Sequence, residues 1–316
     1  MAWPLIRMIP RETHFRFVKW APVAAIFSLV LILGSGVSFF TQGLNLGIDF
    51  KGGIAMEARM PTPISADELR KAARATGAHD VQVQGNFGSP NVAMIRFLPT
   101  EGGNALVEAN RVKAEIIAKF PGMTMPAPSV IGAKVSGELL GSGFKALAIA
   151  LLLMLGYIWF RFQWQFGVGA VVAVFHDILL TLGLLSVLQI EFSMTSIAAL
   201  LTVIGYSMNE KVITFDRLKE NLRKYKTTPL RDIIDLSENE RLSRTIITGT
   251  TALLALGGTM FFGGPVLFPL VFTMTFGIII GTYSSVYIAL PLILVWGVRR
   301  GDEEATPVKL GAASRP

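Results

Sequence analysis

Cysteine is absent from the 316 residues, which excludes disulfides, thiolate metal sites and cysteine nucleophiles. Charge is scarce: 16% of residues are charged, against about 25% in an ordinary soluble domain. No HExxH or GxSxG arrangement offers a hydrolytic centre, so the chain does not read as an enzyme. What is present is apolar. Such residues make up 52% of the chain and gather in runs of roughly 20, a pattern foreign to soluble enzymes and to disordered chains. An outer-membrane barrel would instead show segments of about ten alternating residues. The reading is a polytopic α-helical membrane protein. Its net charge of +7 is laid out along the chain as topology signals, which argues against nucleic acid as a partner.

Six segments are long and apolar enough to span: 18–40, 143–160, 164–190, 193–215, 245–262 and 266–298. The last has room for a break near Gly277, Gly281 or Pro291. The first is too long for a cleaved signal peptide and reads as a retained anchor. Arg7, Arg11, Arg16 and Lys19 precede span one, Arg161 follows span two, and Arg217, Lys219, Arg223, Lys224, Lys226, Arg231 and Arg241 lie between spans four and five. Arg299 and Arg300 follow span six, while the opposite connections, 189–192 and 263–265, hold no Lys or Arg. The positive-inside rule then sets both termini (1–17 and 299–316) and a basic loop, 217–243, in the cytoplasm, with lipid headgroups as the simplest partner of that loop.

Segment 41–142 falls on the far side and has the mixed charge of a soluble domain. Ile54, Met56, Ala58 and Met60 alternate as in a strand. Ser65-Ala-Asp-Glu68 is a capping box ahead of Leu69, Ala72 and Ala73 at helical spacing, with Gly77 as the stop. Strands at 79–84 and 91–98 flank a turn at 86–90, a second helix covers 105–119, and a last strand covers 123–131. The order βαββαβ predicts a ferredoxin-like arrangement. The Gly-rich run 47–53 lacks the GxxxxGK[ST] spacing of a phosphate loop and reads as a tight turn from span one into the first strand.

Ionisable groups within spans cost at least about 2.5–3.5 kcal/mol each at the helix centre, so each needs a partner or a task. Asp177 and His176 lie mid-span three, Glu210 and Lys211 in the inner third of span four, and Arg244 at the cytoplasmic start of span five. Glu210 facing Arg244 is either a proton-carrying carboxylate or a structural salt bridge. Asp177 and His176 read first as interhelical hydrogen bonders and second as a relay. Asp216 and Arg217 read as a surface pair, and Gly205, Gly249, Gly257 and Gly258 as close-packing positions.

Six ordered motifs resemble one family. They are Gly47-Ile-Asp-Phe-Lys-Gly-Gly53, Val135-Ser-Gly-Glu-Leu139, Phe175-His-Asp177, Leu201-Thr-Val-Ile-Gly-Tyr-Ser-Met-Asn209, Phe215-Asp-Arg217 and Glu220-Asn221. Over almost the whole chain they resemble the SecD/SecF family of protein-export membrane proteins, relatives of the resistance-nodulation-division transporters. The positions that carry the motif include Gly47, Asp49, Phe50, Gly52, Gly53, Gly205, Tyr206, Asn209, Asp216 and Arg217. The resemblance implies a multi-pass inner-membrane subunit that works with SecD, and usually YajC, beside the SecYEG channel and the SecA motor, with YidC a further candidate partner. Unfolded preproteins are the substrate and the proton-motive force the energy source. No cofactor or metal is implied; the coupling ion is H+, with Na+ open to a carboxylate site. It implies a proton pathway of Glu210 and Arg244, with Asp177 and His176 as supports.

The chain departs from the family pattern at that site. Asn209-Glu210-Lys211 stands where Asn-Asp-Thr or Asn-Asp-Ser is usual. Either the site is retuned, with Lys211 turned to headgroups or to SecD, or coupling is weakened; retuning is the favoured reading. Two rivals remain beside proton-driven export: a scaffold that stabilises SecD and the channel, and half of a small-molecule efflux transporter.

Overall fold

The computed structural model describes residues 13–63, 65–85, 90–100 and 103–298. Arg7, Arg11, Arg299, Arg300, residues 86–89 of the expected turn and the tail 301–316 lie outside the described residues.

The small unit runs β1 (Gly53–Arg59), α3 (Ala66–Ala75), β2 (His79–Gln84), β3 (Val92–Leu98), α4 (Ala105–Lys119) and β4 (Ser129–Ile131). Ahead of it stand the long helix α1 (Phe17–Gln42) and a single turn, α2 (Ile48–Lys51). The sheet order is β2-β3-β1-β4, with every pairing antiparallel. Alternation decides which face is buried. Ile54, Met56 and Ala58 of β1 meet Ala93, Ile95 and Phe97 of β3, Leu69 and Ala73 of α3, and Val112 and Ile116 of α4 in one core. Both helices start where side-chain oxygens accept orphan amides. Ser65 Oγ takes the Glu68 N–H at 3.4 Å, and Asn104 Oδ1 takes those of Leu106 and Val107 at 3.0 and 3.3 Å. The last strand is shorter than its apolar pattern predicts. Pro126 and Pro128 cannot donate to a ladder, so after one isolated bridge from Arg59 to Thr124 pairing resumes only at Ser129.

The helical part continues with α5 (Ala133–Arg161), α6 (Trp164–Val187), α7 (Met194–Lys224), α8 (Leu230–Phe262), α9 (Gly264–Ser284), a π turn (Ser285–Ala289) and α10 (Leu290–Trp296). Five helical segments among the described residues are long and apolar enough to cross a membrane: Phe17–Gln42, Val135–Arg161, Trp164–Val187, Leu230–Phe262 and Leu267–Trp296. At 31 residues α7 measures about 46 Å. Its length would suffice, but Asn209, Glu210 and Lys211 make it too polar to qualify by composition.

Residues 217–243, read from sequence as a basic loop, are almost wholly helical. They extend α7 and α8, and only 225–229 join them; helical continuity was hidden because hydropathy ends the span where charge begins. The break expected near Pro291 takes the form of the π turn just before it. Pro291 has no N–H for the carbonyl four residues back, and a one-residue shift in register accommodates that loss.

Of the four glycines expected at close contacts, only Gly249 has a neighbour: a Cβ there would lie 3.7 Å from the Tyr206 hydroxyl. A Cβ added at Gly205, Gly257 or Gly258 would meet nothing within 4 Å. One at Gly277 would come 2.2 Å from Val203 Cγ2, and one at Gly281 3.0 Å from Ser207 Cβ, so α9 lies against α7 only because both are bare. α6 is buried along most of its length, whereas α1, α5 and α8 present apolar residues such as Phe40, Leu153 and Leu254 outward.

Candidate functional site

α7 carries two charged residues side by side, and successive helical positions point about 100° apart. Glu210 and Lys211 therefore enter two different networks, and both are buried to 2% exposure or less. Around Lys211, Nζ donates to Asp177 Oδ2 of α6 at 3.0 Å, to Ser284 Oγ of α9 at 3.0 Å and to Ser207 Oγ one turn back on α7. The hydroxyls of Ser207 and Ser284 also donate to Asp177 Oδ2. Lys211 thus points into the bundle, not toward headgroups or a partner. The expectation of an outward Lys211 fails because its neighbours on the inward face of α7 are Ser207 and Thr214, both buried.

The other carboxylate oxygen, Asp177 Oδ1, meets His176 Nδ1 at 3.0 Å. His176 Nε2 lies 3.1 Å from Ser28 Oγ of α1, and Ser28 Oγ lies 2.9 Å from the Tyr283 hydroxyl, which donates its single proton to the Ala24 carbonyl. Ser28 links the His176 ring to the Tyr283 hydroxyl between α1, α6 and α9. Asp177 and His176 are thus brought together in one buried chain.

Around Glu210 the cation is Arg241. Its Nη1 donates to Glu210 Oε2 at 3.2 Å and to Thr245 Oγ1 at 2.7 Å, and Thr245 in turn donates to Glu210 Oε2. Nε and Nη2 grip Glu238 in a two-pronged pair at 2.8 and 2.7 Å, and Nη2 reaches Ser285 at 3.2 Å. Arg244, the partner expected from sequence, is exposed and does not face Glu210. α8 begins at Leu230, so Arg241 is already within the helix, and it shares a face with Glu238 and Thr245 while Arg244 lies off that face. Glu238, Arg241, Ser207, Ser284 and Ser285 were not singled out from sequence. The spacing of Glu238, Arg241 and Thr245 was the available signal, as was a Ser284-Ser285 pair in an otherwise apolar run. A groove of about 290 Å³ lined by Glu238, Arg241, Thr245, Gly249, Thr282 and Val286 opens onto this cluster.

Among the described residues these two networks hold three carboxylates (Asp177, Glu210, Glu238) against two basic side chains other than histidine (Lys211, Arg241). Fully ionised, they leave one uncompensated negative charge in a place where an unpaired charge costs several kcal/mol. No group of three His, Asp or Glu among the described residues could hold a metal.

The remaining motif residues serve elsewhere. Asp216 pairs with Arg161 at 3.1 Å, and Arg217 with Glu240 at 2.8 Å and Glu220 at 2.6 Å, so Asp216 and Arg217 do not pair with each other. Asn209 is exposed, and Tyr206 is half-buried with its hydroxyl beside Gly249. The run 47–53 is a joint. Gly47 N–H donates to Phe192 O and Phe192 N–H to Asn45 O, both at 2.8 Å. Asp49 Oδ2 accepts the Met194 N–H at 2.9 Å at the start of α7, and Phe50 packs on Phe192. A Cβ on Gly47 would strike Glu191; Gly52 and Gly53 take φ of 73° and 133°, and a Cβ on Gly53 would press on the Phe97 carbonyl. Glu191 also forms an ion pair with Arg96 of β3.

Residues 112–299 match the family described as protein export membrane protein SecD/SecF, C-terminal, and residues 37–60 match the SecD/SecF GG motif. Proteins named protein translocase subunit SecF are similar along nearly their full length. That of Cereibacter sphaeroides is 42% identical over 94% of this chain and 94% of its own, and that of Rhodobacter capsulatus 41% identical over 96% and 95%. The crystal structure of SecDF, a translocon-associated membrane protein from Thermus thermophilus, superposes with a TM-score of 0.80 at 31% identity. The match covers 92% of this chain but only 39% of that one, so this chain spans well under half the length of its structural relative.

Proposed function

Because the chain belongs to the SecD/SecF family of protein-export membrane proteins, we propose that it is the smaller membrane subunit of a SecD–SecF pair that draws on the proton-motive force to promote preprotein export after SecA-driven translocation. In this reading α7 is a sixth crossing, both termini are cytoplasmic, and the βαββαβ unit is a ferredoxin-like domain on the periplasmic side of the inner membrane, where it meets the emerging chain. SecD is the direct partner, with YajC, SecYEG, SecA and YidC around it. The protein is a transporter subunit, not an enzyme, and needs no cofactor.

The observation that supports the reading is the buried charge set. A polar network of Glu210, Arg241, Glu238 and Thr245, opening on a groove, is costly unless it has a task. Glu210 is the proton carrier, with Arg241 in the role that sequence assigned to Arg244 and Glu238 as a second carboxylate on the same guanidinium. Asp177 and His176 support the site as a buried pair in contact with each other.

The test is pulse-chase processing of a secreted precursor in cells depleted of their own subunit, with SecD present and membrane levels matched. The chain as given should restore processing and Glu210→Gln should not. Equal restoration by both would overturn the carrier assignment and favour the scaffold reading, in which the buried pairs only lock helices.

A further inference from the structure

Lys211 is unusual among the buried charges because a point cation, not a fork, is held there. Its Nζ is met only by oxygens: Asp177 Oδ2 at 3.0 Å, Ser284 Oγ at 3.0 Å, Ser207 Oγ, and the Ser207 carbonyl at 3.5 Å. These come from α6, α7 and α9, so the three ammonium protons face four oxygen acceptors, of which the Ser207 carbonyl is the most distant. One carboxylate, two hydroxyls and a backbone carbonyl, without nitrogen or sulfur, form the donor set that hard cations take. The residue is fully buried, and the close approach of Gly281 to Ser207 brings Ser284 within reach.

We propose that Asp177, Ser207 and Ser284 form a monovalent-cation site, and that Lys211 fills it as a built-in cation which excludes Na+. Removing the ammonium leaves Asp177 buried beside vacant oxygens, and a Na+ ion restores both charge and coordination. The consequence for coupling rests on the export reading above. With the oxygen cage closed to mobile cations, the ion left to couple is H+ at Glu210. The binding test below does not rest on that reading, so the two stand or fall separately.

The experiment uses the full chain co-purified with SecD in detergent, with thermal midpoints followed in NaCl, KCl and choline chloride at matched ionic strength. The unmodified complex should respond equally to all three salts. Lys211→Thr, which opens the cage and supplies one more hydroxyl, should gain about 2–5 °C in NaCl over choline chloride, the shift of a ligand well above its Kd. Adding Asp177→Asn should abolish that gain. A Na+-specific gain in the unmodified complex overturns the proposal, and so does a Lys211→Thr complex indifferent to the cation. If Lys211→Thr is recovered only when purified in Na+, the proposal is supported; loss in every salt overturns it.

Discussion

Replacing Arg241 with Met keeps the volume and the apolar stem while removing the guanidinium. That guanidinium makes five hydrogen bonds, two to Glu238 and one each to Glu210, Thr245 and Ser285. Its loss strands two carboxylates whose residues are each at most 2% exposed. Breaking a buried pair by deleting one partner costs about 3–5 kcal/mol, and here one deletion breaks two pairs, so the upper end applies. For a chain of this size the expected fall in thermal midpoint is roughly 6–15 °C. Arg244→Met, three residues on and exposed, should stay within about 0.5 kcal/mol of the unmodified protein. Because the penalty is uncompensated charge, adding Glu238→Gln to Arg241→Met should recover 1 kcal/mol or more as a coupling energy between the two sites. Scanning fluorimetry of the four variants with the parent gives every quantity. An Arg244→Met loss equal to that of Arg241→Met would refute the argument, as would strict additivity of Arg241→Met and Glu238→Gln.

Two further outcomes follow from the packing. Gly277→Ala should cost about 1–3 kcal/mol of thermal stability because its Cβ would sit 2.2 Å from Val203 Cγ2, and Val203→Ala in the same chain should recover most of it; a neutral Gly277→Ala would show that α7 and α9 are not in such contact. Asp49→Ala removes the carboxylate that accepts the Met194 amide and should lower stability by about 0.5–2 kcal/mol, with Asp49→Asn milder, as read from hydrogen-exchange protection across the first turn of α7.

The small unit was legible because its rules are local. Alternation at 54, 56 and 58, the capping box at Ser65 and the helical run from 105 set elements that form within a residue or two of their expected bounds. The prolines at 126 and 128 were equally visible, yet their effect on pairing depends on which edge β4 takes. The ion networks were only half legible. That Asp177, His176 and Glu210 sit within apolar runs is a sequence fact, and all three are buried. Their partners depend on helix rotation and on where α8 starts. Hydropathy ends a span at the first charges, which is how Glu238 and Arg241 came to be read as loop. Lys211 looked like an intrusion because its partners, Asp177 and Ser284, lie 34 and 73 residues away in sequence.

The joint at 47–53 has a mechanical meaning. Asp49 holds the first residue of α7, and the amide bonds of Gly47 and Phe192 clamp the short segment that leads into it. Glu210 stands 16 residues further along the same unbroken helix, about 24 Å away. A helix is stiff along its axis, so a load applied to the sheet enters α7 at its end and travels to Ser207, Glu210 and Lys211 as a rigid displacement, like a push on a piston rod. The same stiffness acts in both directions, so a displacement of α7 at Glu210 would also be felt at the Asp49 joint.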